Sequence, residues 1–147
     1  MNTLAPTRPT ELHACRVRLA AGPAAAAGAR RQVRAAIGAW DVPVDPDVAV
    51  LLTSDLVTDA IRHEAGGTVT LTVRRDRGQL RVEVHGASRS RRARADAPAG
   101  AQTGPGLILV ATLSDEWGSY RTPAGEAVYF TLAFRSGQAG GGGRYPG

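Results

Sequence analysis

Apolar and polar residues repeat along this chain with two different periods, and each period predicts one type of element. In residues 12–20 the apolar side chains alternate with arginines, which is typical of a strand with one buried face. Residues 23–40 and the residues from 45 onward instead place an apolar side chain at every third or fourth position, which predicts two amphipathic helices, the second of which stops at Gly66-Gly67. We expect Asp45 and Pro46 to begin the second helix as its N-cap and first-turn residues.

Strand-like alternation returns after the second helix and predicts two hairpins. Their strands lie at residues 68–75, 79–85, 117–121 and 127–135. The turns are Asp-Arg-Gly at 76–78, whose Gly accepts a positive φ, and Pro-Ala-Gly at 123–125. A short helix from Gly104 to Leu113 separates the hairpins. The order β-α-α-β-β-α-β-β predicts an α+β fold, with a mostly antiparallel sheet and helices packed on one face.

The composition fits one globular domain. The 147 residues are 43% hydrophobic and 21% charged, which is ordinary for a folded chain and not for a disordered one. Aromatic residues reach only 5%, so we expect the core to consist of Val, Leu and Ile. We expect the domain at 11–135, a flexible N-terminus at 1–10 and a disordered, Gly-rich tail at 136–147.

Charge and cysteine content limit the classes of partner. Eighteen arginines and no lysine stand against thirteen acidic residues, which gives a net charge of +5. The arginines are spread along the chain and aromatic residues do not alternate with them, so the charge does not favour a nucleic-acid partner. Cys15 alone can form no internal disulfide. No stretch resembles a secretion signal or a membrane span, so we expect a soluble, cytoplasmic protein without a membrane partner.

The candidate chemistry lies in residues 54–63, Ser-Asp-Leu-Val-Thr-Asp-Ala-Ile-Arg-His. Asp55, Asp59 and His63 follow one another at intervals of four and therefore share one face of the second helix. Two neighbouring carboxylates repel each other unless they face water or a cation lies between them, and Arg62 can act as the counter-ion. The alternatives are a solvated helix face, a His63 bonded at the helix end, and a transition-metal site that lacks a further ligand cluster.

This segment resembles the N box of the GHKL (Bergerat-fold) ATPases and kinases. It is most similar to that of the actinobacterial anti-sigma-factor serine kinases, Ser-Glu-Leu-Val-Thr-Asn-Ala-Val-Arg-His. The similarity extends over residues 12–134 with the same order of elements, and it implies a Bergerat-type two-layer sandwich that binds ATP or ADP with Mg²⁺. Asp55 falls on the family's catalytic Glu, which polarises the attacking hydroxyl or water. Asp59 falls on the Mg²⁺-binding Asn, a role that a carboxylate can keep.

The resemblance also assigns residues to the nucleotide's phosphates. Arg62 falls on a frequent basic phosphate contact, and His63, which closes the N box, is a further candidate for nucleotide binding. The residues that match the family's second glycine motif are Gly104, Gly106 and Leu107. There a helix N-terminus suits phosphate, although glycines at this place can also simply begin a helix. Residues 87–103 fall on the family's lid over the nucleotide, or form a solvated loop.

Two positions of the adenine pocket depart from the family. The Asp that accepts a hydrogen bond from the adenine amino group aligns with Gly86. Strand alternation places Val84 and position 86 on the buried side and Glu83 and His85 on the other, so no carboxylate of this strand can replace it. Losing a charged acceptor costs about 1.5–3 kcal/mol, a roughly ten- to hundredfold loss of affinity. Ala127 replaces a Thr that supports the adenine pocket.

Together with Asp59, these departures predict a nucleotide site that is weakened or lost. We therefore expect an anti-sigma-factor-like regulatory protein that binds a sigma factor or an anti-sigma antagonist. Since relatives often pair through the first strand and helix, a homodimer is a further expectation. The alternative is an active Mg-ATP-dependent serine/threonine protein kinase that phosphorylates the antagonist, with Asp55 as its base. Nucleic-acid binding through the basic surface is a third hypothesis.

Overall fold

The predicted elements occur in the predicted order. The computed structural model describes residues 12–62, 67–86 and 105–135. The expected N-terminal extension, His63, the lid segment, Gly104 and the C-terminal tail lie outside these ranges. The elements are β1 (His13–Ala20), α1 (Ala25–Ala39), α2 (Pro46–Arg62), β2 (Thr68–Arg75), β3 (Gln79–Gly86), α3 (Pro105–Leu113), β4 (Glu116–Thr122) and β5 (Gly125–Ala133).

Five antiparallel strands form one sheet in the order β1-β2-β3-β5-β4. The two predicted hairpins, β2–β3 and β4–β5, are joined side by side through β3 and β5, and β1 extends the sheet next to β2. Alternate residues of β2, β3 and β5 are buried on one face, as a period of two predicts. The α+β class and the two-layer arrangement are confirmed.

The hydrophobic core lies between the sheet and the helices on one of its faces. α1 lies mainly over β1, and α2 over β3 and β5. Leu71, Val82 and Phe130 of the sheet meet Val33 and Leu52 of the helices there, and all five are fully buried. Val, Leu and Ala make up most of this core, so Ala fills much of the place expected for Ile. None of the described helices is long and apolar enough to cross a membrane.

The end of α1 directs the chain into the next helix. The Val42 N–H donates to the Ile37 carbonyl at 3.0 Å, and the Asp41 N–H donates to the Gly38 carbonyl at 3.4 Å. These two bonds form a Schellman motif. Asp41 has a φ of 51°, a left-handed conformation that Gly usually occupies at this position.

The start of α2 confirms the predicted cap. α2 begins at Pro46, which has no N–H and so removes one of the donors that lack a partner in the first turn. The Asp45 Oδ1 accepts a hydrogen bond from the Asp47 N–H at 2.9 Å. The helix runs to Arg62, so the whole described part of the N-box segment is helical.

The second face of the sheet, which no described helix covers, is called the open face. Its side chains are polar, aromatic or small, in contrast to the aliphatic face below the helices. They include Arg16, Arg18, Thr70, Thr72, Arg74, Arg81, Glu83, His85, Glu116, Gly118, Tyr120, Ala127, Tyr129 and Thr131.

Candidate functional site

α2 carries Asp55 and Asp59 one turn apart, on the flank turned away from α1. The flank that faces α1 is marked by Ser54, whose hydroxyl accepts a hydrogen bond from Arg30 Nη1 at 3.0 Å. Because each helical residue rotates by about 100°, Asp55 and Asp59 point about 100° and about 140° around the helix axis from Ser54, away from α1. α3 is the second helix that packs against α2. The structure thus keeps the two predicted carboxylates together on one helix face.

The two carboxylates differ in their surroundings. Asp59 is only 8% exposed. Asp55 is half-buried, and its Oδ2 is enclosed without a hydrogen-bond partner among the described residues. Burial raises the pKa of the Asp55 carboxyl above its ordinary value, because desolvation disfavours the charged form. A desolvated carboxylate is stabilised when it binds a proton or a cation, which is the chemistry expected of a base or a Mg²⁺ ligand.

The end of β3 shows the predicted alternation. Val82 and Val84 are buried in the core, whereas Glu83 and His85 lie on the open face. Gly86 follows on the side of Val84, with no side chain where the resemblance expects an Asp. The strand itself therefore brings no carboxylate to this side.

The neighbouring strand places a carboxylate there. Gly86 pairs with Glu126 of β5 and with Val69 of β2, and paired residues of an antiparallel sheet share a face. Glu126 therefore lies beside Gly86 and is half-buried. Reasoning from β3 alone missed Glu126, because the register between two strands separated in sequence cannot be read from either of them. Ala127 pairs with His85 instead, so the structure places it on the open face, apart from Gly86.

The first turn of α3 provides the candidate phosphate end. The helix begins at Pro105, and Gly106 and Leu107 lie in its first turn. Backbone N–H groups in a first turn have no partner within the helix and can bind an anion. Arg62 is exposed at the last position of α2. In the described ranges, no three His, Cys, Asp or Glu side chains are grouped to hold a metal ion.

A Mg²⁺–nucleotide fits one end of this arrangement better than the other. At the phosphate end, Asp55 and Asp59 offer oxygen ligands, which Mg²⁺ prefers, and α3 offers a helix N-terminus. At the base end, β3 carries Gly86 where the resemblance expects an Asp, and Glu126 of β5 pairs with Gly86.

α1 and α2 form a concave surface, which we call the arginine groove. Its volume is about 630 Å³, and its lining consists of Ala27, Arg30, Arg31, Arg34, Ala35 and Val50. Arg31 and Arg34 are exposed, and the 3.4 Å pair between Arg34 and Asp47 is exposed as well, so it contributes little stability. The groove therefore offers cationic side chains beside an apolar surface.

Profiles of known protein families do not match this sequence, and no curated protein matches it. The resemblance to GHKL proteins is therefore one of motif and element order.

Proposed function

We propose that this chain is an anti-sigma-factor-like regulatory protein, which binds a sigma factor or an anti-sigma antagonist. Its GHKL-type scaffold would bind ATP weakly or not at all. Two observations support a GHKL-type scaffold. They are the residues of α2 that resemble the N box and the two-layer α+β fold that the resemblance implies. Gly86, in place of the Asp expected at the base end of the site, supports a role that does not depend on nucleotide turnover.

The observation that carries this proposal is Gly86 at the end of β3. It lies on the side of the sheet that also carries Val82 and Val84, where a carboxylate would have to accept a hydrogen bond from adenine. A glycine offers no such acceptor, which costs about 1.5–3 kcal/mol of binding. The phosphate contacts that remain are shared by every nucleotide, so they cannot select adenine.

Calorimetric titration with Mg-ATP tests the nucleotide side of the proposal. We expect the natural chain to bind ATP roughly ten- to hundredfold more weakly than the double variant Gly86→Asp/Asp59→Asn, which restores both family residues. The single variant Gly86→Asp should already recover part of this affinity, and its matched control is Gly22→Asp, because a side chain at Gly22 meets nothing within 4 Å and adds the same charge as Gly86→Asp outside the site.

Two results would contradict a degenerate site. One is tight ATP binding by the natural chain that Gly86→Asp does not improve. The other is loss of that binding in Glu126→Gln, which would show that β5 supplies the missing acceptor. Equal gains in Gly86→Asp and Gly22→Asp would mean that the added charge acts without entering the pocket.

The arginine groove supports a protein partner of acidic character. Its exposed arginines suit carboxylates, and its Ala and Val side chains provide apolar contact. We expect Arg31→Gln/Arg34→Gln to weaken binding of a purified sigma factor or antagonist at least tenfold in a titration. An unchanged affinity would indicate that the partner binds another surface.

The active kinase is the second candidate function, and the state of Asp55 favours it. A desolvated carboxylate with one oxygen that has no hydrogen-bond partner among the described residues is suited to take the proton of a serine hydroxyl. The test is transfer of labelled phosphate from ATP to a serine of the antagonist. Transfer that Asp55→Ala abolishes would replace the regulatory proposal with an enzymatic one, and no transfer by the natural chain would exclude the kinase.

A further inference from the structure

The open face carries a connected group of charged and aromatic side chains. At its centre, Glu83 is only 7% exposed although no described helix covers it. Its Oε1 accepts a hydrogen bond from Arg81 Nε at 3.1 Å. Its Oε2 accepts one from the Tyr120 hydroxyl and lies 3.0 Å from His85 Nε2. The carboxylate is thus enclosed by the groups that it binds, and it holds them in place.

Aromatic rings lie beside this carboxylate. The Arg81 guanidinium stacks on the Tyr129 ring, 3.8 Å from the ring centre. Tyr120 meets Tyr129 and His85 edge to face, with ring centres 6.4 Å apart in each pair. Gly118 makes room for this packing, since a Cβ there would lie 3.0 Å from the Tyr129 hydroxyl. Tyr120 remains 42% exposed and is accessible to a ligand.

Two arginines add positive charge at the other side of the same face. Arg16 and Arg18 of β1 are exposed and lie directly across from Thr72 and Thr70 of β2. With neighbouring strands about 4.8 Å apart, roughly 19 Å separate β1 from β4. The open face therefore has cationic side chains at one edge and a stacking surface near the other.

We infer that the open face binds single-stranded nucleic acid, with bases stacked on Tyr120 and the Arg81 guanidinium and phosphates held at Arg16 and Arg18. Proteins hold single strands by stacking bases on aromatic rings and guanidinium planes, beside cationic side chains that follow the backbone. This inference does not depend on the proposed function, which concerns the helices and the end of β3.

The composition of the open face favours nucleic acid over a protein partner. In the described strands, this face has no Val, Leu, Ile, Met or Phe side chain, whereas the buried centre of a protein interface is apolar. The sequence does not favour nucleic acid because its arginines and aromatic residues stand far apart. The sheet removes that objection, since Glu83 binds both Arg81 and Tyr120, and Tyr120 lies 37 residues away from it in the sequence.

Fluorescence anisotropy with labelled twelve-nucleotide oligo-dT and oligo-U tests the inference. We expect Tyr120→Ala to weaken binding roughly 5- to 150-fold, because stacking on one aromatic ring has this effect. Tyr120→Phe, which keeps the ring, should retain most of the affinity. Arg16→Gln/Arg18→Gln should lower the slope of log affinity against log salt by about 1.4, since each phosphate contact on a single strand contributes about 0.7.

The matched control is Arg77→Gln/Arg121→Gln, which removes the same charge from two exposed arginines outside the open face and should leave the slope unchanged. Equal effects of the two double variants would overturn the inference, because they would show only a general attraction of a basic protein for polyanions. A second contradicting result would be an oligo-Glu peptide that displaces the oligonucleotide and binds Tyr120→Ala as tightly as the natural chain. That result would indicate an acidic protein partner. No binding at low salt would also overturn the inference.

Discussion

At the scale of single residues, Glu83 is a buried charge that the open face stabilises. Burial alone raises the pKa of its carboxyl, but hydrogen bonds from Tyr120 and Arg81 and the charge of Arg81 outweigh burial. The pKa therefore lies below its ordinary value of 4.5. A group with a lowered folded-state pKa contributes stability that is complete above its unfolded pKa and is lost as the pH falls through the folded value.

We expect Glu83→Gln to lower the free energy of unfolding by about 1.5–3 kcal/mol near neutral pH, because charged hydrogen bonds are lost. The difference from the natural chain should shrink below pH 4.5, as the natural carboxyl becomes protonated. Urea unfolding at several pH values, followed by tryptophan fluorescence, measures both effects. Glu116→Gln is the control, because Glu116 is exposed. A difference that stays constant down to pH 3 would contradict this account.

Asp55 is the opposite case, a carboxylate that destabilises the folded chain. Its pKa is raised from 3.8 by burial, so its contribution to stability is present below pH 3.8 and is lost as the pH rises through the folded value. We expect Asp55→Asn to raise the free energy of unfolding at neutral pH by up to about 1 kcal/mol, since the group is partly solvated. The gain should vanish near pH 3, and Asp47→Asn, on an exposed side chain, should show none. A loss of stability at neutral pH would mean that Asp55 has a structural partner.

At the scale of elements, the cap of α2 is the feature that sequence predicts best. Asp45→Ala removes the acceptor for the Asp47 N–H, and we expect it to cost about 1 kcal/mol of unfolding free energy. Asp45→Asn should retain nearly all of the stability, because Asn caps equally well. Thermal and urea unfolding of both variants measure this. Equal losses would show that the charge of Asp45, rather than its hydrogen bond, stabilises the helix.

The sequence predicts all eight elements because their periods are regular, and most boundaries differ by two residues or fewer. It does not predict the left-handed turn at Asp41. Gly is the usual residue there, and Asp holds the position only because Val42 is buried beyond it and completes the Schellman motif. Burial of Val42 is a tertiary contact that local pattern does not contain.

At the scale of the whole molecule, the sheet order decides which candidate residues meet. The spacing of four residues predicts that Asp55 and Asp59 share a helix face, and they do so because both lie on α2. The pairing of β3 with β5 brings Glu126 to Gly86 and sends Ala127 to the other face. That register is set by the packing of whole elements, and a shift of one residue would exchange the two. Contacts within an element are therefore predictable from sequence here, and contacts between distant strands are not.

The position of β1 has one further consequence. Among the described strands, β1 pairs only with β2, so the backbone groups along its outer side are a template on which another extended chain can add. Arg16 and Arg18 lie on this strand, and a second copy that added here would bring like charges together, which opposes ordered aggregation. At high protein concentration, neutralising these two arginines would therefore favour growth of intermolecular sheets from this edge.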